Sequence, residues 1–191
     1  MQIRLRHNPS FAVSRLLLEA GESVQVESGA MMAHSPGVQI SNKAAGGGIM
    51  KGLKRSVLSG ESFFSTTYTA PAEGGWVDIA GVLPGDMLPL EIQPDRPYFV
   101  ARGNWMANSV GTEVTSQFGG MKNLLGGEGG FGLKAGGQGL VVLSVYGAID
   151  VMDLEPGERV VVDTGHVIAY DLGVHDAPRG GGTLDPVDEV R

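Results

Sequence analysis

A short cassette of strand and turn residues occurs three times in this chain. The third copy, residues 154–169, opens with Leu154-Glu155-Pro156-Gly157-Glu158, and the first copy, residues 18–33, opens with Leu18-Glu19-Ala20-Gly21-Glu22. A more divergent second copy ends at residues 98–107. Apolar residues alternate with polar ones between glycine turns, which predicts a turn, a short strand, a glycine turn and a second short strand in each copy.

The second and third units also align without a gap at an offset of 62 residues. This alignment matches Gly85 with Gly147, Val100 with Val162 and Gly103 with Gly165. We interpret the cassette glycines as turn residues and the valines at positions 26, 100 and 162 as core residues. Similarity at a fixed period is typical of repeat architectures, in which each unit is too small to bury its apolar face alone.

Composition agrees with many short strands joined by tight turns. The 191 residues include 31 glycines, only 18% are charged, and 42% are hydrophobic, which is enough for one core. The net charge of −7 disfavours nucleic-acid binding, and the absence of cysteine excludes disulfides and thiolate zinc sites. The N-terminal residues alternate in polarity and lack the long apolar run of a signal peptide or membrane span, so we expect a soluble, cytoplasmic protein.

The predicted strands follow the chain in order. They cover residues 1–6, 11–18, the first cassette, the region of Val38 and Ile40, residues 61–70 and 76–80 as a hairpin, and residues 140–146 and 148–154. We predict one all-β domain over residues 1–171, made of three tandem repeats (about 1–70, 71–136 and 137–171) around a pseudo-threefold axis. Residues 172–191 turn polar and predict a mobile tail.

Several of these motifs together resemble one family. They are Leu18-Glu19-Ala20-Gly21-Glu22, Glu27-Ser28-Gly29-Ala30-Met31, Ser59-Gly60-Glu61-Ser62-Phe63-Phe64 after Lys54-Arg55, and Leu83-Pro84-Gly85-Asp86 followed by Arg102-Gly103. The chain resembles, over about residues 1–170, the altered-inheritance-of-mitochondria (number twenty-four) family, which is found widely in bacteria and named for a fungal mitochondrial member.

The resemblance implies a triplicated fold similar to the trp RNA-binding attenuation protein, a short double-stranded β-helix, or jelly-roll-like sandwich, in each unit. It also implies a homo-oligomer, with a trimer favoured, and no catalytic residues or cofactors to carry over. Members usually continue past the third cassette with a further strand pair rich in glycine and aromatic residues, which residues 172–191 lack. The third unit therefore either lacks closing strands or is completed by another subunit.

One basic segment is the candidate contact site. Lys43, Lys51, Lys54 and Arg55 lie in a glycine-bracketed insertion with Ile49, Met50 and Leu53 beside them. Backbone amides of glycine loops bind anions, and lysines next to apolar residues suit a membrane surface or a partner groove. The alternative is a solvated loop whose apolar side chains cover the barrel end or a subunit interface.

The remaining chemical motifs favour structural roles. The string Gly127-Glu128-Gly129-Gly130-Phe131-Gly132 matches G-x-G-x-x-G without the strand and helix that a dinucleotide site needs. The four histidines form no metal-binding pattern, and Glu22, Asp86 and Glu158 fit turns at strand starts. Most of the aromatic residues Trp76, Trp105, Tyr98 and Phe99 are predicted to lie in the core or an interface.

These observations predict a non-enzymatic, oligomeric scaffold without cofactors. Its glycine-rich loops would contact a protein partner or a membrane surface. The alternative hypothesis is a ring protein that binds a small ligand or RNA.

Overall fold

The computed structural model describes residues 1–41, 65–117, 132–179 and 181–186. Within these ranges the chain is all-β, as the sequence predicts, apart from one short 3-10 helix, Thr164–His166. The first nine strands are β1 Gln2–Arg6, β2 Val13–Leu18, β3 Ser23–Glu27, β4 Met31–His34, β5 Gln39–Ser41, β6 Ser65–Thr69, β7 Gly75–Ala80, β8 Met87–Ile92 and β9 Tyr98–Ala101. The next eight are β10 Trp105–Ser109, β11 Thr112–Gln117, β12 Gly132–Gly137, β13 Gly139–Ser144, β14 Val160–Val161, β15 Ala169–Asp171, β16 Val174–Arg179 and β17 Gly181–Pro186.

The strands form four antiparallel sheets. Sheet I has the order β1-β2-β7-β4, sheet II the order β5-β6-β3-β10-β13-β8, sheet III the order β11-β12-β9-β15 and sheet IV the order β14-β17-β16. Short strands with polar turns between them suit this arrangement, because sheets I and III each bury an apolar face against sheet II.

Two apolar cores lie on opposite faces of sheet II. The first core joins Leu16 and Val77 of sheet I to Val26 and Val142 of sheet II. The second core joins Val100 and Leu133 of sheet III to Trp105, Val141 and Leu143 of sheet II. The middle strands β10 and β13 therefore contribute side chains to both cores, which explains the unbroken apolar run Leu140-Val141-Val142-Leu143.

Alternation sets which side of each outer sheet is buried. In β2, Ser14, Leu16 and Leu18 are buried, whereas the intervening residues are half-buried on the other face. The predicted core positions Val26 and Val100 are both fully buried, but the third position, Val162, is only half-buried. Two of the three cassette glycines, Gly29 and Gly103, adopt positive φ angles of 93° and 86°.

The predicted hairpin of residues 61–70 with 76–80 is wrong. Strand β6 pairs with β3 and β5 in sheet II, whereas β7 pairs with β2 and β4 in sheet I. The turn between them therefore carries the chain from one sheet to another. Alternation predicts both strands correctly but contains no information on the partner of each strand.

Two predictions near the C-terminus also differ from the structure. Residues 148–154, predicted as a strand, form none, and Val151 and Met152 are 61% and 56% exposed. Residues 174–179 and 181–186 form the paired strands β16 and β17, although the sequence predicts a mobile tail from residue 172. The domain boundary at residue 171 and the triplicate arrangement around a pseudo-threefold axis stay predictions.

Candidate interaction surface

The basic site predicted from the sequence lies outside the described residues. Lys43, Lys51, Lys54 and Arg55 belong to the segment 42–64 between β5 and β6. Anion or partner contact by these four residues stays a prediction.

Three chain segments meet at one end of sheets I and II. They are residues 7–12 between β1 and β2, residues 81–86 between β7 and β8, and residues 145–147 after β13. The amide of Ala12 donates to the Gly85 carbonyl at 2.9 Å, and the amide of Asp86 donates to the Gly147 carbonyl at 2.8 Å. The amide of Val145 donates in turn to the Asp86 carbonyl at 3.1 Å. Backbone hydrogen bonds therefore hold the three segments together.

Gly85 permits this close approach. A Cβ atom at residue 85 would lie 1.7 Å from the carbonyl oxygen of Val145, so a larger residue would push the segments apart. Gly85 and Gly147 also form a parallel bridge, and these are two of the residues that the 62-residue offset aligns.

Exposed apolar side chains protrude from these three segments. We call Phe11, Val82, Leu83 and Tyr146 the loop-end cluster; their exposed fractions are 66%, 95%, 62% and 78%. Single exposed apolar residues are common on protein surfaces, but several on neighbouring segments make a candidate interaction site. Such a surface can bind by burying apolar area.

The loop-end cluster carries no positive side chain of its own. Asp86 lies in the same loop as Val82, and its Oδ1 accepts a hydrogen bond from the Met87 amide at 2.8 Å. Asp150 is exposed and follows Tyr146 along the chain. The charge in these segments therefore has the same sign as the net charge of −7 for the whole chain.

The outer face of sheet I carries an ion cluster. The buried carboxylate of Asp78 accepts hydrogen bonds from Arg15 Nε and Nη2, both at 2.8 Å, and from Arg6 Nη2 at 2.7 Å. The Arg15 guanidinium also lies 3.9 Å from the ring centroid of Trp76. The hydrogen bond from Arg15, and then that from Arg6, lower the pKa of Asp78, although burial acts in the opposite direction. This cluster holds β1, β2 and β7 together across the sheet.

The predicted turn carboxylates bind the backbone beside them. Glu22 Oε2 accepts a hydrogen bond from the Glu19 amide at 2.9 Å, and Glu158 Oε2 accepts one from the Glu155 amide at 2.8 Å. The same hydrogen bond therefore occurs at equivalent positions of the first and third cassettes. The prediction that Glu22 and Glu158 are turn residues is confirmed.

Most of the aromatic residues lie where the sequence predicts. Trp105 and Phe99 are each 3% exposed, and Tyr98 packs against the second core. Tyr98 and Phe99 point to opposite faces of sheet III, as neighbours in a strand must. Trp76 differs, because its ring lies under Arg15 on the outer face of sheet I.

An open cleft of about 500 Å³ lies at the far end of β10 from the loop-end cluster. Its lining includes Met1, Glu22, Ser109 and Leu140. The polar groups in the lining already bind each other: Glu22 pairs with the amino group of Met1, and Ser109 Oγ accepts from the Leu140 amide at 2.9 Å. The cleft therefore has few free groups to orient a ligand.

No group of three histidine or carboxylate side chains that could bind a metal occurs in the described ranges. The described part of the chain likewise has no helix that is long and apolar enough to cross a membrane.

Comparison with known proteins places the chain in a family. The sequence profile of the family described as mitochondrial biogenesis AIM24 matches residues 3–178. The chain belongs to the AIM24 family. This confirms the resemblance that the cassette and loop motifs indicate.

Two proteins similar to this AIM24 chain come from Streptococcus pyogenes. An uncharacterized protein of Streptococcus pyogenes serotype M6 is 29% identical over 187 residues, which cover 92% of this chain and 74% of the relative. The X-ray crystal structure of a Streptococcus pyogenes protein is similar, with a TM-score of 0.77 at 23% identity, over 97% of this chain and 89% of that one. At this identity the structural likeness concerns the fold alone.

Sequence reasoning misses the loop-end cluster. Val82 and Leu83 stand directly before the turn residues Pro84 and Gly85, and apolar residues in a turn are unusual enough to be noticed. The apolar pattern places Phe11 and Tyr146 in strands, which in the structure begin at Val13 and end at Ser144. The two aromatic rings therefore lie just outside the strands, in the loops.

Proposed function

We propose that this AIM24 chain is a non-enzymatic, oligomeric scaffold of three tandem β-repeats that binds a protein partner. The observation that carries the proposal is the loop-end cluster, in which Phe11, Val82, Leu83 and Tyr146 are exposed on segments joined by backbone hydrogen bonds. A preorganised apolar surface loses little conformational entropy when it binds, so even a small contact area gives useful affinity.

Strand order supports the three-repeat arrangement. Three sets of strands share one antiparallel order: β5-β6-β3, β11-β12-β9 and β16-β17-β14. In each set the cassette provides the last strand named, and the two others form the hairpin that follows it along the chain. The third repeat in this proposal extends to Pro186, because β17 ends there.

The use of the carboxylates supports a role without catalysis. Glu22 and Glu158 close equivalent turns, and Asp78 is neutralised by Arg6 and Arg15. A general acid or base needs a carboxylate free to exchange a proton with a substrate, and these three are bound to the protein itself.

Charge favours a protein partner over a membrane surface. Asp86 lies in the loop of Val82 and Leu83, the whole chain carries a net charge of −7, and an anionic bilayer would repel both. An apolar centre with a polar rim is the usual composition of a protein–protein contact.

Cross-linking at the loop-end cluster tests the proposal. A photoreactive amino acid replaces Val82 in the native host, and the matched control carries it at Val110, which is 67% exposed at the far end of β10. The expected result is a discrete adduct from residue 82 alone. The purified partner should then bind the unmodified chain, and V82D/L83D should weaken binding by about tenfold or more, as at an interface hot spot, whereas V110D should not.

Two outcomes would reject a protein partner at this surface. One is an identical set of adducts from residues 82 and 110. The other is flotation of the chain with phosphatidylcholine or phosphatidylcholine–phosphatidylglycerol vesicles that V82D/L83D abolishes, which would assign the loop-end cluster to membrane contact.

A further inference from the structure

Two strand pairings between neighbouring repeats are equivalent residue by residue. Strand β10 pairs with β3, matching Ala107 with Val26, Asn108 with Gln25 and Ser109 with Val24. Strand β15 pairs with β9, matching Ala169 with Val100, Tyr170 with Phe99 and Asp171 with Tyr98. The offset of 62 relates the residues of β10 to those of β15, and an offset of 74 relates those of β3 to those of β9. The same antiparallel register therefore occurs twice.

The same offsets define a third pairing. The first-repeat equivalent of Ala107 is Ala33, and the third-repeat equivalent of Val100 is Val162. The third pairing would match Ala33 with Val162, His34 with Val161 and Ser35 with Val160. It would join β4 to β14.

Both of these strands present an open edge in the described structure. Strand β4 is the last strand of sheet I, next to β7, and β14 is the last strand of sheet IV, next to β17. Unpaired edge strands expose backbone amides and carbonyls that pair readily with another strand.

The third-repeat position is also less buried than the equivalent positions of the first two repeats. Val26 and Val100 are fully buried, whereas their counterpart Val162 is half-buried. Val161, the neighbour of Val162 on the other face of β14, is 73% exposed. The third position lacks the strand that covers the first two.

We propose that β4 of one copy pairs with β14 of a second copy, antiparallel and in the register Ala33 to Val162. The occupant is a second copy because one chain contains both edges and does not pair them in the described residues. Main-chain hydrogen bonds supply the affinity, as in other strand additions, and Val161 becomes covered. The contact is head-to-tail, so it generates a closed ring or a filament, and three copies in a ring leave neither edge open. This inference rests on the oligomeric scaffold proposed above.

Disulfide trapping tests both the register and the identity of the occupant. The chain has no cysteine, so introduced thiols have no competitors. Purified A33C and V162C are mixed and oxidised mildly, and the control mixture pairs A33C with V160C, which is two residues out of register. The expected result is a covalent dimer that forms several-fold faster from the first mixture, because disulfides require closely spaced Cβ atoms. The A33C/V162C double variant should give covalent species larger than one chain.

Two results in this experiment would overturn the proposal. Equal rates of disulfide formation in the two mixtures would rule out the proposed register. A disulfide within single chains of the double variant would show that the chain closes on itself.

Native mass spectrometry separates this proposal from the proposed function. The V161K variant places a charge on the exposed edge and should convert the oligomer to monomers, whereas V151K, at a residue 61% exposed outside any strand, should not. An oligomer that persists in V161K overturns the edge pairing but leaves the scaffold intact. A monomeric unmodified chain overturns the edge pairing and the oligomeric scaffold together, while partner binding at Val82 is judged by its own cross-linking result.

Discussion

The ring of Phe99 lies across the backbone of Gly132 on the neighbouring strand. A Cβ atom at residue 132 would stand 1.8 Å from Phe99 Cε2, so the ring occupies the space of the missing side chain. The Tyr170 ring lies on the next strand, with its centroid 4.9 Å from that of Phe99. Three strands of sheet III are thus linked by one aromatic contact on the face opposite the second core.

Replacing Gly132 with alanine should destabilise the fold. The added methyl group forces the buried Phe99 ring to move, which we expect to cost about 2 kcal/mol in the free energy of unfolding. Gly136→Ala is the matched control, because it lies on the same strand, and a Cβ atom added there would have no other atom within 4 Å. This control should be neutral or slightly stabilising. Urea denaturation measures both, and equal stability of the two variants would contradict the contact.

Asp78→Asn should lower the stability of the fold, because it removes the carboxylate charge that Arg6 and Arg15 bind. We expect a loss of about 2 kcal/mol at neutral pH, because the buried hydrogen bonds weaken and Arg6 and Arg15 lose their counter-ion. Asp150→Asn, at an exposed residue, is the control and should change little.

The effect of Asp78→Asn should also depend on pH. The pKa of Asp78 is lowered in the folded chain, so its stabilisation is complete above the unfolded value of about 3.9 and is lost as pH falls through the folded value. The stability difference between Asp78→Asn and the unmodified chain should therefore shrink below about pH 4. A difference that does not vary with pH would argue against the ion cluster.

Glu27→Gln should change stability in the opposite direction to Asp78→Asn, because it removes an unfavourable charge. Burial raises the pKa of the Glu27 carboxyl at the end of β3, so the folded chain disfavours its ionised form. Stability contributed by this group is complete at low pH and falls as pH rises from the unfolded value of about 4.3 to the folded value. The glutamine variant should be more stable than the unmodified chain at pH 7 and equal to it near pH 3, as thermal unfolding at the two pH values would show. A less stable variant at pH 7 would refute the effect of burial.

The sequence predicts many of the strands but misses β8, β11, β12, β16 and β17, and it predicts strand partners poorly. Alternation places β2 and β3 correctly, because the apolar side chains that it orders are the ones that become buried, such as Leu16 and Val24. Pairing depends on residues far apart in the chain, and for this reason the predicted hairpin of β6 with β7 is wrong. Residues 148–154 align with residues 86–92 at the offset of 62, yet only β8 is a strand, because β13 lies beside it.

The candidate surface is less predictable than the fold. Exposure of Val82 and Leu83 depends on how the loops around Gly85 and Gly147 meet, and that meeting is a contact across about 60 residues of sequence that local patterns do not encode. The ion cluster of Asp78 escapes prediction for the same reason, because Arg6 and Arg15 reach it from two other strands. The turn roles of Glu22 and Glu158 are predictable, since each binds an amide three residues earlier.

Strands β10 and β13 each supply side chains to both apolar cores, and this ties the two halves of the chain into one folding unit. If sheet I or sheet III opened by itself, one side of these two strands would meet water, so neither half can melt without raising the free energy of the other. The amide hydrogens of Ala107 and Val142 should therefore be among the last to exchange with deuterated solvent. Their exchange would report global unfolding of the entire chain.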